Sequence, residues 1–199
     1  MIAILDYGAG NLQSVRNALD EIGCGYSVVR DAAGLRAAAG VILPGVGHFG
    51  QMMRELDRLG VREPLVERIR GGAPFLGICL GMQALFEGSE EAPEARGLGI
   101  YRGLVQRFSG NMRVPHMGWN DLQPRKDSRL LADLPERPFV YFAHSYYVPA
   151  HPLAAAFCTY GSSYSAAIEA ENVFGVQFHP EKSGALGLKI VSNFVRLVC

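Results

Sequence analysis

The sequence predicts an α/β protein with a mostly parallel sheet covered by helices and an antiparallel β extension. Two observations predict it. Strand-like and helix-like segments alternate over the first half, which is the rhythm of a parallel sheet, and after about residue 96 short strand-like pieces rich in turns take over. In order, Ile2 to Leu5 reads as a strand, Leu12 to Ile22 as a helix, and Tyr26 to Val29 and Val41 to Leu43 as strands. Gln51 to Arg70 reads as one or two helices, and Pro74 to Ile78 as a strand. Further on, Val105 to Phe108 and Phe139 to Phe142 are expected in the antiparallel extension. Residues 173 to 178 have the character of a strand, and Gly187 to Val195 closes the chain as an amphipathic helix. The acidic cluster from Glu87 to Glu94 reads as a solvated loop.

Composition fits one domain over residues 1–199. With 49% hydrophobic and 19% charged residues, the chain can bury one sizeable core but hardly two. A formal net charge of zero gives no electrostatic footprint for nucleic acid or an anionic membrane. A protein and a small molecule are the expected partners. No apolar run long enough to span a bilayer is present and no targeting segment is visible, so a cytoplasmic location is expected. Cysteines at 24, 79, 158 and 199 are scattered, indicating neither a disulfide framework nor a metal site.

The most informative segment is Gly77-Ile78-Cys79-Leu80-Gly81, between an apolar run and the apparent start of a helix at Met82 to Phe86. Flanking glycines let the backbone bend sharply at the cysteine, the pattern of a nucleophile elbow. A helix starting there would point N–H groups at the sulfur, favouring thiolate. Taken alone, a cysteine is as readily a small buried hydrophobe. The candidate base is His179 in His179-Pro180-Glu181: in extended geometry positions two apart share a side, and Pro180 fixes one of its own backbone angles and restricts the residue before it to extended geometry. Glu181 can then orient the imidazole. Taken alone, this tripeptide also suits a surface turn. The loop Pro44-Gly45-Val46-Gly47 follows an apolar strand, and its glycines allow the Val46-Gly47 peptide to aim an N–H beside that of Leu80 as an oxyanion hole. An ordinary strand-ending turn would read the same way.

Together, the elbow Gly77 to Gln83, the Pro44 to Gly47 loop and His179-Pro180-Glu181 resemble the class I glutamine amidotransferases. Asp6-Tyr7-Gly8-Ala9-Gly10-Asn11-Leu12, Val114 to Asn120, Tyr141 to Tyr146 and His179 to Ser183 narrow the resemblance to the glutaminase subunit of imidazole glycerol phosphate synthase, an enzyme of histidine biosynthesis. Residues 24–40 and 121–138 carry no part of it. The resemblance implies a three-layer, flavodoxin-like sheet with helices on both faces. It implies Cys79 as nucleophile, His179 as base and then acid, Glu181 as orienting carboxylate, and N–H groups of Leu80 and of the Val46-Gly47 peptide for the oxyanion. Gly45, Gln83, His144, Ser145 and Tyr146 would bind glutamine. Asn11, Trp119, Tyr141 and Lys182 would lie at the interface and ammonia route to a (β/α)8 cyclase subunit in a heterodimer, with no cofactor and no metal. A cysteine peptidase on a similar sheet would need a wider cleft, and a catalytically silent module would not need the triad.

Overall fold

The structure, a computed structural model, describes residues 1–198; Cys199, one of the four cysteines, lies outside the described residues. The first half runs β1 (Ile2–Leu5), α1 (Leu12–Ile22), β2 (Tyr26–Val29), α2 (Ala32–Ala37), β3 (Gly40–Gly45), α3 (Phe49–Arg58), α4 (Arg62–Arg70), β4 (Phe75–Cys79) and α5 (Leu80–Gln83). The second half runs β5 (Gly88–Ser89), β6 (Leu104–Arg107), β7 (His116–Asp121), β8 (Gln123–Pro124), β9 (Phe139–His144), β10 (Tyr146–Tyr147), β11 (Ala154–Tyr160), β12 (Ser162–Ala170) and β13 (Val173–Val176). A 3-10 turn (Pro180–Lys182) and α6 (Gly184–Val198) complete it.

Eight strands form the central sheet in the order β2-β1-β3-β4-β13-β12-β11-β8. The five from β2 to β13 are parallel and the last three antiparallel. Side-chain alternation explains why the parallel strands read as continuous apolar runs. Ile2 and Ile4 enter the layer holding α1 and α6, whereas Ala3 and Leu5 enter the layer holding α2, α3 and α4, and all four are wholly buried.

Three expectations need correction. Residues 105–107 and 139–142 do lie in strands, with Phe108 just past the end of β6, but not in the main sheet: β6 joins a small sheet with β5 and β10, and β9 forms a two-stranded ribbon with β7. The main sheet's antiparallel extension is instead the β11–β12 hairpin, whose alanines 154–156, 166 and 167 pack tightly and carry little strand signal in sequence. The acidic cluster is not a plain solvated loop, because Glu87, Glu90 and Glu91 accept the backbone N–H groups of Gly103, Arg107 and Phe49 and so stitch β5 to its surroundings. The elbow helix is one turn, Leu80–Gln83, so its dipole is that of a single turn. In the unassigned stretch, α2 starts at Asp31, whose side chain caps the Gly34 N–H at 2.8 Å.

One close approach positions the elbow. Gly45 on β3 pairs with Cys79, and the turn beginning at Leu80 passes directly over β3. A Cβ on Gly81 would fall on the Leu43 carbonyl oxygen, which is backbone and cannot yield. Gly81→Ala is therefore expected to destabilise the protein by at least the roughly 1–3 kcal/mol typical of overpacking, measured as a lower denaturant midpoint at unchanged m-value. A wild-type midpoint would show that the approach is looser than described.

Candidate active site

Cys79, His179 and the residues expected for the oxyanion line a half-open cavity of about 260 Å³ at the carboxyl ends of β3 and β4. A larger cavity of about 360 Å³ lies elsewhere, beside Arg125 and Arg129, but both guanidiniums are already paired, with Asp127 and Glu169.

Cys79 ends β4 and precedes α5 with φ +54° and ψ −108°. This left-handed backbone is strained for a residue with a Cβ and costs roughly 1–3 kcal/mol, a strain typical of functional sites. Cys79 is nearly buried, at 6% exposure, yet it lines the cavity. His179 lines the same cavity, with Nδ1 2.9 Å from Glu181 Oε1. Burial by itself would lower the imidazole pKa, but hydrogen bonds to Cys79 and Glu181 and the charges of both outweigh it and hold the ring well above its ordinary value. Below that raised value the ring is a cation poised between the Cys79 sulfur and the Glu181 carboxylate.

The His179 main chain is fixed as firmly as its ring. Its N–H donates to the Tyr141 carbonyl at 2.9 Å, and the Ser183 hydroxyl donates to its carbonyl at 2.6 Å. Ser183 Oγ in turn accepts the Tyr141 N–H at 3.0 Å. Strand β9 and the turn carrying the triad are thus laced together.

On the opposite wall, Gly47 at φ +96° and Leu80 line the cavity beside Cys79. Among the described residues the Gly47 N–H has no hydrogen-bond acceptor. Val46 is engaged from behind: the Tyr7 hydroxyl donates to its carbonyl at 3.1 Å and accepts its N–H at 3.2 Å. In a trans peptide N–H and C=O point opposite ways, so a Val46 carbonyl turned toward Tyr7 turns the Gly47 N–H away from it. Burial pushes the Tyr7 phenol up to about 12, so this clamp stays neutral.

The five expected substrate residues separate. Gln83, His144, Ser145 and Tyr146 line the cavity. Gly45 does not line it; it is enclosed beneath the elbow, where a Cβ would strike the Leu80 side chain, so its contribution there is spacing. The expected interface residues also separate. Trp119 and Tyr141 are cross-strand partners with rings 6.1 Å apart, and Lys182 Nζ lies 6.0 Å from the Tyr141 ring centroid. Asn11 is the N-cap residue of α1, and its side chain makes no capping bond.

Sequence reading missed Glu91, Tyr7 and Gln177. Glu91 lines the cavity with one carboxylate oxygen held by the Phe49 N–H at 2.7 Å. Its acidic neighbours hid it. Gln177, wholly buried, approaches the sulfur with Nε2 at 3.6 Å. Strand alternation was the one available signal: Gln177 is a polar residue in an otherwise apolar run two positions before His179.

Behind the cavity runs a directed relay. His144 Nδ1 faces the Tyr146 carbonyl at 2.8 Å and must donate, so Nε2 accepts from the Tyr164 hydroxyl at 3.3 Å. Tyr164 oxygen then accepts from His116 Nδ1 at 3.2 Å, leaving His116 Nε2 to accept from Asn120 at 3.4 Å. Burial pushes His116 down to about 4 and His144 to about 3, so both are neutral. A lowered histidine pKa gives stability that is present above the unfolded value of 6.5 and is lost as pH falls through the folded value. The urea midpoint should therefore fall between about pH 6.5 and about pH 4, and His116→Phe should flatten that fall; an identical slope in the variant would show that His116 is protonated in the folded protein.

Comparison with known proteins places this geometry. The family model "Glutamine amidotransferase class-I" matches residues 3–198. A protein of Desulfitobacterium hafniense named "Imidazole glycerol phosphate synthase subunit HisH" is 47% identical over 200 residues, covering 100% of this chain and 95% of that protein. The protein of the same name from Methanothermobacter thermautotrophicus is 47% identical over 199 residues, covering 100% of this chain and 99% of its own. In Arabidopsis thaliana, "Imidazole glycerol phosphate synthase hisHF, chloroplastic" is 45% identical over 201 residues, and this chain covers 34% of it. A solved glutamine amidotransferase superposes with TM-score 0.79 at 19% identity, covering 99% of this chain and 98% of that one; this likeness shows the shared fold.

Proposed function

The chain belongs to the class I glutamine amidotransferases and, within them, to the HisH subunits of imidazole glycerol phosphate synthase, and we propose that Cys79, His179 and Glu181 hydrolyse the side-chain amide of glutamine. The observation that carries the reading is the strained elbow, which presents the Cys79 sulfur to an imidazole already held by Glu181 within one small cavity.

In the proposed reaction the sulfur attacks the amide carbon, and the oxyanion that forms is received by the Leu80 N–H and by an N–H of the Val46-Gly47 loop. His179 gives its proton to the departing nitrogen, the C–N bond breaks, and ammonia leaves a glutamyl thioester on Cys79. His179 next takes a proton from water as its oxygen attacks the thioester; collapse breaks the C–S bond and releases glutamate. No step calls for a metal or cofactor. Gln83 donates through its nitrogen to Tyr146 and Gln177, so what it has left for a substrate is its oxygen, an acceptor suited to an α-ammonium group, and the Glu91 carboxylate nearby adds charge of the right sign. Ser145 and Tyr146 complete that end of the cavity.

The partner in this reading is a cyclase subunit, a (β/α)8 barrel that uses the ammonia to form imidazole glycerol phosphate and aminoimidazole carboxamide ribotide, in a cytoplasmic heterodimer. Support comes from the β7–β9 ribbon beside the cavity, where Met117, Trp119 and Phe139 are 65%, 56% and 55% exposed. Exposed aromatics, tryptophan above all, are frequent anchors of a protein interface, and Met117 also lines the cavity, so ammonia would leave next to the contact.

Glutamate release should be low for the chain alone and rise strongly with the cyclase and its ribonucleotide ligand; activity indifferent to that partner would assign the chain to another amidotransferase reaction. Cys79→Ala is expected to abolish hydrolysis and keep the complex intact, and full hydrolysis by that variant would refute the mechanism. Trp119→Ala should weaken assembly by about 2 kcal/mol or more in titration calorimetry without lowering stability, and an unchanged Kd would take Trp119 out of the interface.

A further inference from the structure

The Cys79 sulfur has a second partner in Gln177, whose Nε2 lies 3.6 Å from it on the segment between β13 and His179. An amide can face a sulfur with either end, but here only one end fits. The Tyr146 carbonyl can only accept, so the Gln83 atom 2.8 Å from it must be the amide nitrogen. That same nitrogen lies 3.0 Å from the outer atom of the Gln177 amide, which must therefore be oxygen. The Gln177 NH2 is left facing the sulfur. Gln177 has no exposed surface and its own N–H is bonded to the Ala166 carbonyl at 2.8 Å, so the side chain has no other place to go.

A neutral thiol is a weak acceptor, whereas a thiolate is a strong one, so a fixed donor at this distance favours the charged form. We propose that Gln177 is a catalytic residue of the glutaminase, holding the Cys79 sulfur as thiolate and linking it through Gln83 to the site that receives the glutamine head group. This rests on the glutaminase reading above. The hydrogen bond is strongest before the C–S bond forms and again as that bond breaks, so it stabilises the resting nucleophile and the thiolate leaving group when the thioester is hydrolysed. Glutamine bound at the Gln83 oxygen fixes the Gln83 amide, which in turn fixes the Gln177 amide with its donor on the sulfur.

The other titratable groups around the sulfur are His179 with Glu181 behind it, Tyr7 after β1, Tyr164 from β12, and His144 and Glu91, which line the same cavity, and Gln177→Leu replaces none of them. The test is the pH dependence of Cys79 alkylation by iodoacetamide in the folded chain without glutamine, followed on the Cys79 peptide by mass spectrometry. Gln177→Leu should raise the pH midpoint by about one to two units, the loss of one hydrogen bond to a charged group, and should lower glutamine hydrolysis at least tenfold in the presence of the partner. An unchanged midpoint in a variant with a wild-type melting profile overturns the proposal. Should Gln177→Leu not fold, Gln83→Met frees the Gln177 amide to turn its oxygen to the sulfur, and the midpoint should again rise, with no rise overturning the assignment. Alkylation does not depend on turnover. A wild-type chain without glutaminase activity therefore counts against the glutamine reading, whereas normal hydrolysis by Gln177→Leu with an unmoved midpoint counts against Gln177 alone.

Discussion

Gly81 lies so close to the Leu43 carbonyl that no side-chain carbon fits between them, and the site is built on that contact of backbone with backbone. It lets the chain reverse within one residue at Cys79, which accepts a backbone conformation that costs energy. The strain is held because β4 lies between β3 and β13, paired in register with both, and Gly77, Gly45 and Gly175 leave room above the sheet for the turn that follows. Removing side chains at these points moves the elbow down onto the sheet and its sulfur to the sheet's edge, where the loop after β3 and the turn after β13 can both reach it. The parallel order of the strands is what gathers those two loops at the same edge.

Around this fixed point the polar groups are arranged with little freedom. On one side a cationic imidazole is held by Glu181 and by the sulfur. On another, two amides in series run from the Tyr146 carbonyl to the same sulfur. That carbonyl is shared with His144, so the relay through Tyr164 and His116 ends on the atom from which the amide chain begins. Because His144 and His116 are neutral and each has a single tautomer that satisfies its neighbours, the network has one direction of donation throughout. Buried networks of this kind are useful only when complete, since each missing partner would leave a desolvated group behind. The Glu181 Oε2 atom is an exception, buried without a partner among the described residues, while its sister oxygen holds His179 Nδ1 at 2.9 Å.

Much of this was legible from sequence because local chemistry decided it. The strand at Ile2, the helix at Leu12 and the elbow all announce themselves through apolar periodicity and glycine placement, whereas the segment after His179, expected to stay extended, turns into a 3-10 turn at Pro180 and still brings Glu181 onto the imidazole. The β11–β12 hairpin did not, since its buried faces are largely alanine and serine, residues with weak strand preference that are there because neighbours press close. Glu91 was hidden among acids whose common feature in sequence is charge and whose role in the fold is to receive N–H groups. Tyr7 and Gln177 act across 39 and 98 positions of chain, on Val46 and Cys79, and no window of sequence contains both ends of such a bond.

The lacing of Tyr141 to His179 has a mechanical consequence. Two hydrogen bonds through the Ser183 hydroxyl and one directly between main chains make the ribbon strand and the base a single stiff body. The ribbon has two strands, with Val140 and Phe142 of β9 buried in the core and Trp119 and Phe139 exposed on the opposite face. The backbone position of the imidazole is therefore set by the ribbon strand, whose far face lies at the outer surface. A load placed on Trp119 and Phe139 is thus borne by the same strand that carries the main chain of the base, with no side chain of the triad in between.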